Sequence, residues 1–365
     1  MPHLVAALNE IGQSLWLDSI SRSMLRDDTL ATYRGQHGVT GLTSNPSIFC
    51  HALKESHDYD ATIHACHGLS PEDVFFDLAL NDLRHAAGVF MPIHQCTSSV
   101  DGWVSLEVSP LLANDVNATI EQALRLHQRA AIVNLYIKVP GTHAGLQAIE
   151  ELTYLGVPTN ITLLFSKDQY QLATNAYIRG LERRLNGGLS IDVPSVASVF
   201  VSRWDVKAAT LLPKEEKRPQ LGLAVAADIY TSYCETLSCT RMQRLMNTGA
   251  RAQRLLWAST GRKNPAVSET FYVEALAAPF TINTMPKKTL QAIINQRGKV
   301  DGSVLACATL NADKHDHHAV LAEFAAHGLK VETLAKSLQN EGITSFKNSW
   351  NELITIIDQR RKEAA

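Results

Sequence analysis

One stretch of the chain places a lysine where an amine nucleophile could act. Residues 134–139 read NLYIKV, and this alternation puts apolar side chains on one face of a predicted strand and Lys138 on the other. Burial near the end of such a strand disfavours the charged ammonium, and a neutral amine can attack a ketone to form a Schiff base. A lysine at a strand end can also extend to solvent, and this stretch alone favours that simpler interpretation.

Polar residues in other predicted strands share the parity of Lys138 or follow the strand end. They are Asp18, Thr43, Asn45, Ser105, Glu107, Asn160, Thr162, Ser198 and Ser259. Any one of them could be a buried polar group that simply finds a hydrogen-bond partner. Six strands that direct polar groups toward one centre instead favour a functional site. Two carboxylates and a lysine there would perturb each other's pKa values, as is common at such sites.

These residue types suit one reaction class. Lys138 would attack a ketone and form a carbinolamine and then an imine, which acts as an electron sink for breaking or forming the adjacent C–C bond. That step needs a base for the C4 hydroxyl proton, and formation and hydrolysis of the imine need a positioned water. Asp18 and Glu107 are the candidates, while amide and hydroxyl side chains would orient a sugar.

The elements that must position these residues alternate between strands and helices. Eight runs are predicted as strands: Ser14–Ile20, Gly38–Thr43, Trp103–Val108, Asn134–Val139, Pro158–Phe165, Ser195–Val201, Arg254–Ser259 and Phe280–Met285. Most are rich in Val, Ile, Leu and Phe, which is typical of parallel strands covered by helices. The alternation predicts an α/β fold, a closed (β/α)8 barrel whose active site lies at the carboxyl ends of the strands.

A single domain is expected over residues 1–365. Two connections are too long for a simple βα unit, and we expect helical insertions at about 46–102 and 204–253. At the C-terminus Phe346, Trp350, Leu353 and Ile357 recur at helical spacing. This amphipathic helix should pack on the barrel or on a second subunit, so the sequence leaves a monomer and a homodimer open.

Composition excludes several classes of partner. A formal net charge of −2 and 19% charged residues provide no electrostatic surface for nucleic acid or an anionic membrane. The six cysteines form no C-x-x-C pair, and no signal peptide or membrane-spanning run is evident, so free thiols and a cytoplasmic location are expected. No His or Cys lies at the inward positions and no G-x-G-x-x-G or P-loop follows a strand, so neither a metal nor a nucleotide cofactor is indicated.

Two histidine-containing segments and one charged segment have simple interpretations. The segment HACH at 64–67 lacks two further metal ligands at suitable spacing. The run KHDHH at 314–318 precedes an apolar helical pattern and is interpreted as a solvated helix start. The run PKEEKRP at 213–219 is interpreted as a solvated loop.

Taken as an ordered set, the motifs resemble the transaldolase family, in its longer bacterial form within the class I aldolases. The segments that carry the resemblance are GLTSNPS at 41–47, VSLEVS at 104–109, NLYIKVPGT at 134–142, TNITL at 159–163, SVASVFVSR at 195–203, ASTG at 258–261 and NTMP at 283–286. The resemblance extends from Leu15 to Pro286. Each motif alone would be a modest signal.

The resemblance implies a transferase that moves a dihydroxyacetone unit between sugar phosphates in the pentose phosphate pathway, with no cofactor. Fructose 6-phosphate or sedoheptulose 7-phosphate would be donors, and erythrose 4-phosphate or glyceraldehyde 3-phosphate acceptors. Lys138 would form the Schiff base, Asp18 would be the acid/base at the C4 hydroxyl, and Glu107 with Thr162 would hold the catalytic water. The implied sugar-binding residues are Thr43, Asn45, Asn160 and Ser198, with Phe200 lining the pocket.

The phosphate site resembles the family less closely. Arg203 matches, and arginine suits bidentate phosphate contacts. Shorter members carry a second arginine two positions after the seventh-strand serine, here Ser259, but position 261 is glycine in this chain. Arg262 and Lys263 follow, and either could bind the phosphate, with Lys263 preferred.

Two alternatives remain open. An aldolase of the same family would cleave fructose 6-phosphate to free dihydroxyacetone, although the resemblance at Glu107 and Phe200 favours transfer. A barrel that binds a sugar phosphate without turnover would be expected to lack Lys138, which is present.

Overall fold

Eight parallel strands form a closed barrel in chain order. The computed structural model describes residues 3–66, 68–211, 220–295 and 317–363. The strands are β1 Ser14–Asp18, β2 Val39–Thr43, β3 Val104–Glu107, β4 Leu135–Pro140, β5 Thr159–Leu164, β6 Ser195–Phe200, β7 Arg254–Ala258 and β8 Ile282–Met285. Each strand pairs with the next, and β8 closes the barrel on β1. The predicted (β/α)8 fold is confirmed, and every predicted strand end lies within two residues of the observed one.

Helices surround and extend this barrel. In the part of the chain that the structure describes, they are α1 His3–Glu10, α2 Arg22–Arg26, α3 Thr29–His37, α4 Pro46–Glu55, α5 Asp60–Ala65, α6 Pro71–Cys96, α7 Val116–Ala130, α8 His143–Tyr154, α9 Lys167–Asn186, α10 Ser202–Leu211, α11 Gln220–Ser238, α12 Thr240–Asn247, α13 Phe271–Ala275, α14 Lys287–Asn295, α15 His317–Ala326 and α16 Val331–Glu363. A 3-10 turn covers Pro110–Leu112. Helices α4 to α6 and α10 to α12 occupy the two predicted insertions. That all these elements form one domain over residues 1–365 stays a prediction.

The helices that follow β2, β4 and β5 each start at an N-cap residue whose side chain accepts a backbone hydrogen bond. Asn45 after β2, Thr142 after β4 and Ser166 after β5 each accept a hydrogen bond from a backbone N–H in the first turn of α4, α8 and α9. Such a cap satisfies a donor that the helix leaves unpaired and contributes about 1 kcal/mol. The turns at the carboxyl ends of these strands are therefore fixed by local chemistry.

The long C-terminal helix packs on the barrel. Phe346, Trp350, Leu353 and Ile357 of α16 are all buried, as their spacing predicts. The Trp350 ring lies 5.1 Å from that of Phe75 in α6, centroid to centroid. Helix α16 also contacts α4 and β5. Of the two predicted locations for this helix, the barrel surface is the observed one.

One prediction for the histidine-rich run is wrong. Helix α15 does begin there, at His317, but the His317 side chain is only 4% exposed, whereas His318 is exposed. The reason is that α15 packs against α11, which covers the first residue of the helix. Residues 314–316, His67 and the charged segment 213–219 lie outside the described residues.

Two further expectations concern thiols and membranes. Five cysteines, Cys50, Cys66, Cys96, Cys234 and Cys239, are free thiols, and Cys307 lies outside the described ranges. Among the described residues, no helix has the length and apolar character needed to cross a membrane.

Candidate active site

A buried lysine and a buried glutamate form an ion pair at the carboxyl ends of neighbouring strands. Lys138 of β4 and Glu107 of β3 are direct partners in the strand register, so their side chains emerge together into the barrel. The Lys138 Nζ atom lies 3.3 Å from Glu107 Oε2, and the side chains are only 5% and 2% exposed. Lys138 Nζ also donates to the Ser44 carbonyl oxygen, at 3.3 Å. The amine is thus held at a fixed position by an acid and a backbone acceptor.

A second carboxylate, Asp18, is oriented by Thr43, which is in turn in contact with Thr284. Thr43 Oγ1 donates to Asp18 Oδ1 at 2.7 Å, and Thr43 Oγ1 lies 2.7 Å from Thr284 Oγ1. Strands β2 and β8 flank β1, which carries Asp18 at its end. The carboxylate therefore has one oriented oxygen at the strand end, as an acid/base group requires.

Burial changes the acidity of both carboxyls. Desolvation raises the pKa of Asp18, and the nearby Lys138 charge only partly opposes this effect. Desolvation likewise raises the pKa of Glu107, with Lys138 opposing and the Asp18 charge adding to the rise. Three ionisable groups thus act on one another inside the barrel, which is the arrangement expected of an acid/base site.

Amide and hydroxyl groups line the barrel between β3 and β6. Ser198 Oγ donates to Asn160 Oδ1 at 2.6 Å, and Asn160 Nδ2 donates to Ser105 Oγ at 3.3 Å. Within the described residues, Thr162 Oγ1 and both Glu107 carboxylate oxygens are buried and have no hydrogen-bond partner, so the Lys138–Glu107 contact is an ion pair without hydrogen-bond geometry. Unpartnered buried polar atoms are costly, and they mark places where a water or ligand can bind.

A cavity of about 180 Å³ gives access to this cluster. Nine of the predicted site residues line it: Asp18, Thr43, Asn45, Lys138, Ser198, Phe200, Arg203, Ser259 and Lys263. Glu107, Asn160 and Thr162 are buried and are not among the residues that line the cavity. The Asn45 side chain serves both the cavity and the helix cap, since its Oδ1 accepts from the Ile48 N–H at 3.1 Å.

Helix α16 closes one side of the cavity. The Phe346 ring centroid lies 5.9 Å from Lys138 Nζ. Gln339 Nε2 donates to the carbonyls of Gly141 and Leu163, both at 3.0 Å, and so fixes the helix on the ends of β4 and β5. Helix α16 approaches β5 closely at Gly342, where a Cβ would lie 2.8 Å from a methyl carbon of Leu163 and would make that side chain shift.

Two cations, Arg203 and Lys263, line the cavity. The Arg203 guanidinium carbon lies 5.4 Å from the Phe200 ring centroid, and Lys263 lies near enough to Asp18 for its charge to lower the pKa of that carboxyl. Among the described residues, neither Arg203 nor Lys263 forms an ion pair. Ser259 lies beside them with φ +55°, a left-handed conformation that costs a non-glycine residue about 1–2 kcal/mol.

Arg262 and Lys263 point to different places. Arg262 pairs with Glu269 at 2.6 Å and donates to the Val267 carbonyl at 3.2 Å, so it is engaged by its own loop. It is not among the cavity-lining residues, whereas Lys263 is. Of the two basic residues that the sequence left as alternatives, only Lys263 therefore faces the cavity.

Sequence reasoning did not assign a role to three cavity-lining or site-holding groups. Thr284 follows the inward parity of β8 and could have been found by that signal. Phe346 was interpreted only as part of an apolar helix face, and the Ser44 carbonyl is a backbone group that side-chain patterns do not reveal.

A larger cavity, of about 700 Å³, lies at the amino-terminal mouth of the barrel. Its lining includes Gln13, Asp101, Tyr136 and Arg254. None of the residues of the Lys138 cluster lines it. Chemistry in barrels of this type is located at the carboxyl ends of the strands, so we assign the site to the smaller cavity.

Comparison with known proteins agrees with this geometry. A family model described as Transaldolase/Fructose-6-phosphate aldolase matches residues 15–357. A protein named transaldolase from Mycobacterium tuberculosis is 39% identical over 360 residues, which cover 96% of this chain and 95% of that protein. One of the same name from Neisseria gonorrhoeae is 39% identical over 354 residues, covering 96% and 98%. The chain therefore belongs to the transaldolase/fructose-6-phosphate aldolase family.

Proposed function

We propose that this chain is a transaldolase that transfers a dihydroxyacetone unit from a ketose phosphate to an aldose phosphate through a Schiff base on Lys138. The observation that carries the proposal is the position of the Lys138 amine, buried at the carboxyl end of β4 and 3.3 Å from Glu107. Fructose 6-phosphate or sedoheptulose 7-phosphate is the donor, and erythrose 4-phosphate or glyceraldehyde 3-phosphate the acceptor. This chemistry belongs to the pentose phosphate pathway, in the cytoplasm, and uses no metal or cofactor.

Formation of the imine requires that Lys138 lose a proton. The nearest acidic group is Glu107, whose pKa is raised by burial, so it is a stronger proton acceptor than an exposed glutamate. Once neutral, the amine attacks the ketone carbon of the donor, and the carbinolamine loses water to give the imine. The Ser44 carbonyl keeps the nitrogen aimed into the cavity during this step.

Water must leave and later re-enter at the same carbon. Glu107 carboxylate oxygens and Thr162 Oγ1 are buried polar atoms without hydrogen-bond partners among the described residues, on strands β3 and β5, which flank β4. A water that bridges them would satisfy these atoms and would lie beside Lys138. Glu107 can then pass a proton to or from this water in both directions of the reaction.

Cleavage of the C3–C4 bond requires a base at the C4 hydroxyl. Asp18 lines the cavity, and Thr43 orients its Oδ1. Its raised pKa makes it able to accept a proton in cleavage and to return it when the acceptor aldehyde binds. Electrons from the broken bond move into the imine, and the resulting enamine holds the three-carbon unit.

The remaining polar groups position the substrate. Asn45, Asn160 and Ser198, with Thr43, bind the hydroxyls of the dihydroxyacetone part, and Phe200 lines the pocket. Arg203 and Lys263, with Ser259, bind the phosphate, because both cations lack an ion-pair partner among the described residues and face the cavity. Arg262 has no part in this proposal, since Glu269 engages it.

Transfer is distinguished from simple cleavage by the acceptor. With purified protein and fructose 6-phosphate, we expect sedoheptulose 7-phosphate to form only when erythrose 4-phosphate is added, with little free dihydroxyacetone. Free dihydroxyacetone at the same rate with and without acceptor would identify an aldolase of the same family. Binding of fructose 6-phosphate with no turnover in either assay would identify a binding protein and contradict the proposal.

A further inference from the structure

A cluster of possible metal ligands lies on helices α11 and α15, and the proposed reaction does not use it. It consists of Asp228 of α11 and of His317 and His318 at the start of α15. One ligand atom from each of the three side chains lies within 4.8 Å of the other two. The two imidazole rings lie 4.1 Å apart, centroid to centroid.

His317 carries the strongest evidence that the cluster binds a ligand. The side chain is only 4% exposed, and within the described ranges its Nε2 atom is buried without a hydrogen-bond partner. A buried imidazole nitrogen that lacks a partner is costly, and structures seldom tolerate one without a ligand, water or ion. No ion pair joins Asp228 to either histidine in the described part of the chain, so a simple salt bridge does not account for the arrangement.

The surrounding charges favour a cation. Glu332 in the first turn of α16 lies near enough to Asp168 and Asp228 for their charges to raise its pKa, in addition to the effect of burial. Lys167 partly offsets these carboxylates, with its Nζ atom 3.1 Å from Asp228 Oδ1. Asp228 is the one carboxylate grouped with the two imidazoles, and Glu332 lies close enough to Asp228 to feel its charge. These negative charges favour a divalent cation, while Lys167 and Lys336 oppose it in part.

We propose that Asp228, His317 and His318 bind one divalent transition-metal ion, with Zn²⁺ as the preferred ion. Two imidazoles and one carboxylate are ligand types that Zn²⁺ takes at about 2.0–2.2 Å, with water as a fourth ligand. Ligand atoms around one tetrahedral ion at these lengths lie about 3.4 Å apart. Because His318 is exposed, its side chain can rotate to reach this spacing.

The ion would join two helices of different parts of the chain. Helix α15 leads directly into α16, which carries Phe346 and Gln339 over the Lys138 cavity. A metal ligand from α11 and two from α15 would therefore stabilise the position of the helix that closes the cavity. This role is structural, and it is separate from the Schiff-base chemistry.

The test measures Zn²⁺ binding by the full chain after removal of metals with EDTA. Competition with a chromogenic chelator should give one tight site per chain, and the melting temperature should rise with added Zn²⁺. Loss of a group that merely supports a ligand costs about 10–100-fold in metal affinity, so His318→Ala and Asp228→Asn should each weaken binding by at least about 100-fold. His327→Ala, which replaces an exposed histidine just after α15, is the matched control and should bind as the unaltered chain does.

A misfolded variant would also lose Zn²⁺ binding, so a variant that is expected to bind Zn²⁺ more tightly is needed as well. Lys167→Gln removes the cation that competes for Asp228, so it should tighten Zn²⁺ binding. With Co²⁺ in place of Zn²⁺, the unaltered chain should show the visible absorption of four-coordinate cobalt, and His318→Ala should not. Zn²⁺ affinity that is equal in the unaltered chain, His318→Ala and Asp228→Asn would overturn the proposal.

Discussion

Lys138 Nζ and Glu107 Oε2 lie 3.3 Å apart inside the barrel, and only 5% of the Lys138 side chain and 2% of the Glu107 side chain are exposed. Two opposite charges at this depth attract strongly, but neither carboxylate oxygen has a hydrogen-bond partner among the described residues. Such a pair contributes little to stability compared with the cost of desolvation. We therefore attribute to this pair the proton transfer proposed above, and not a role in stability.

Glu107→Gln should slow the water-dependent steps while leaving sugar binding nearly intact. The amide has nearly the same shape but cannot accept a proton, so kcat should fall by about 10²–10⁴-fold with little change in KM. Steady-state kinetics with fructose 6-phosphate and erythrose 4-phosphate measures both. Glu182→Gln, at a half-buried glutamate that pairs with Arg241 and does not line the cavity, is the control. A change confined to KM would argue against the proposed role of Glu107.

Asp18→Asn should separate imine formation from C–C cleavage. Without a base at the C4 hydroxyl, turnover should fall by about 10²–10⁴-fold, whereas Lys138 should still form an adduct with the donor. Borohydride reduction in the presence of fructose 6-phosphate, followed by mass spectrometry, detects that adduct independently of turnover. Turnover that survives the substitution would assign the C4 proton to another group.

Lys263→Met and Arg262→Met form a matched pair of adjacent substitutions. A charge-assisted hydrogen bond contributes about 1.5–3 kcal/mol, so loss of Lys263 should raise the KM for fructose 6-phosphate by about 10–150-fold. Arg262 is paired with Glu269, and its loss should change this KM far less. Titration with inorganic phosphate as a competitive inhibitor provides a second measurement. The reverse order of effects would place the phosphate near Arg262.

Asp205 predicts a pH dependence of stability that is unrelated to catalysis. Burial raises the pKa of this carboxyl to about 6, although hydrogen bonds from the Tyr272 hydroxyl and the Gly222 N–H oppose the rise. The folded state holds the proton more tightly than the unfolded state, whose pKa is near 3.8. The stabilisation is therefore complete below about pH 3.8 and is lost as the pH rises through 6, by up to about 3 kcal/mol.

The measurement compares the free energy of unfolding of the unaltered chain with that of Asp205→Asn between pH 4 and pH 7. Asparagine does not titrate: its Oδ1 can accept from the Gly222 N–H, and its Nδ2 can donate to the Tyr272 hydroxyl oxygen. The difference between the two proteins should therefore change across this window. A constant difference would show that the Asp205 carboxyl does not titrate there. Asp192→Asn, at an exposed aspartate, is the control.

Much of the fold and of the chemical cluster could be predicted because both follow from local patterns. Alternation in β4 fixes the face on which Lys138 lies, and the same parity places Glu107, Asn160 and Ser198 inside the barrel. Strand ends agree to within two residues because the buried runs end at cap residues such as Asn45, Thr142 and Ser166. Period and capping are properties of a few neighbouring residues, so one sequence is sufficient to detect them.

Contacts between residues far apart in the chain could not be predicted in this way. The approach of Phe346 to Lys138 depends on how α16 crosses the barrel, and the burial of His317 depends on α11. Arg262 pairs with Glu269, whereas Lys263 lines the cavity. The path of the irregular loop after β7 decides this difference. In each case the sequence provides the residue types, and the packing of remote elements decides their neighbours.

The most direct test of the account is to trap the covalent intermediate. The protein is treated with borohydride in the presence of fructose 6-phosphate, and its peptides are mapped by mass spectrometry, with Lys138→Met as the control. The account predicts a reduced three- or six-carbon adduct on Lys138 and none in the variant. An unmodified Lys138 in protein shown to bind the sugar phosphate, or an adduct on a different lysine, would contradict it.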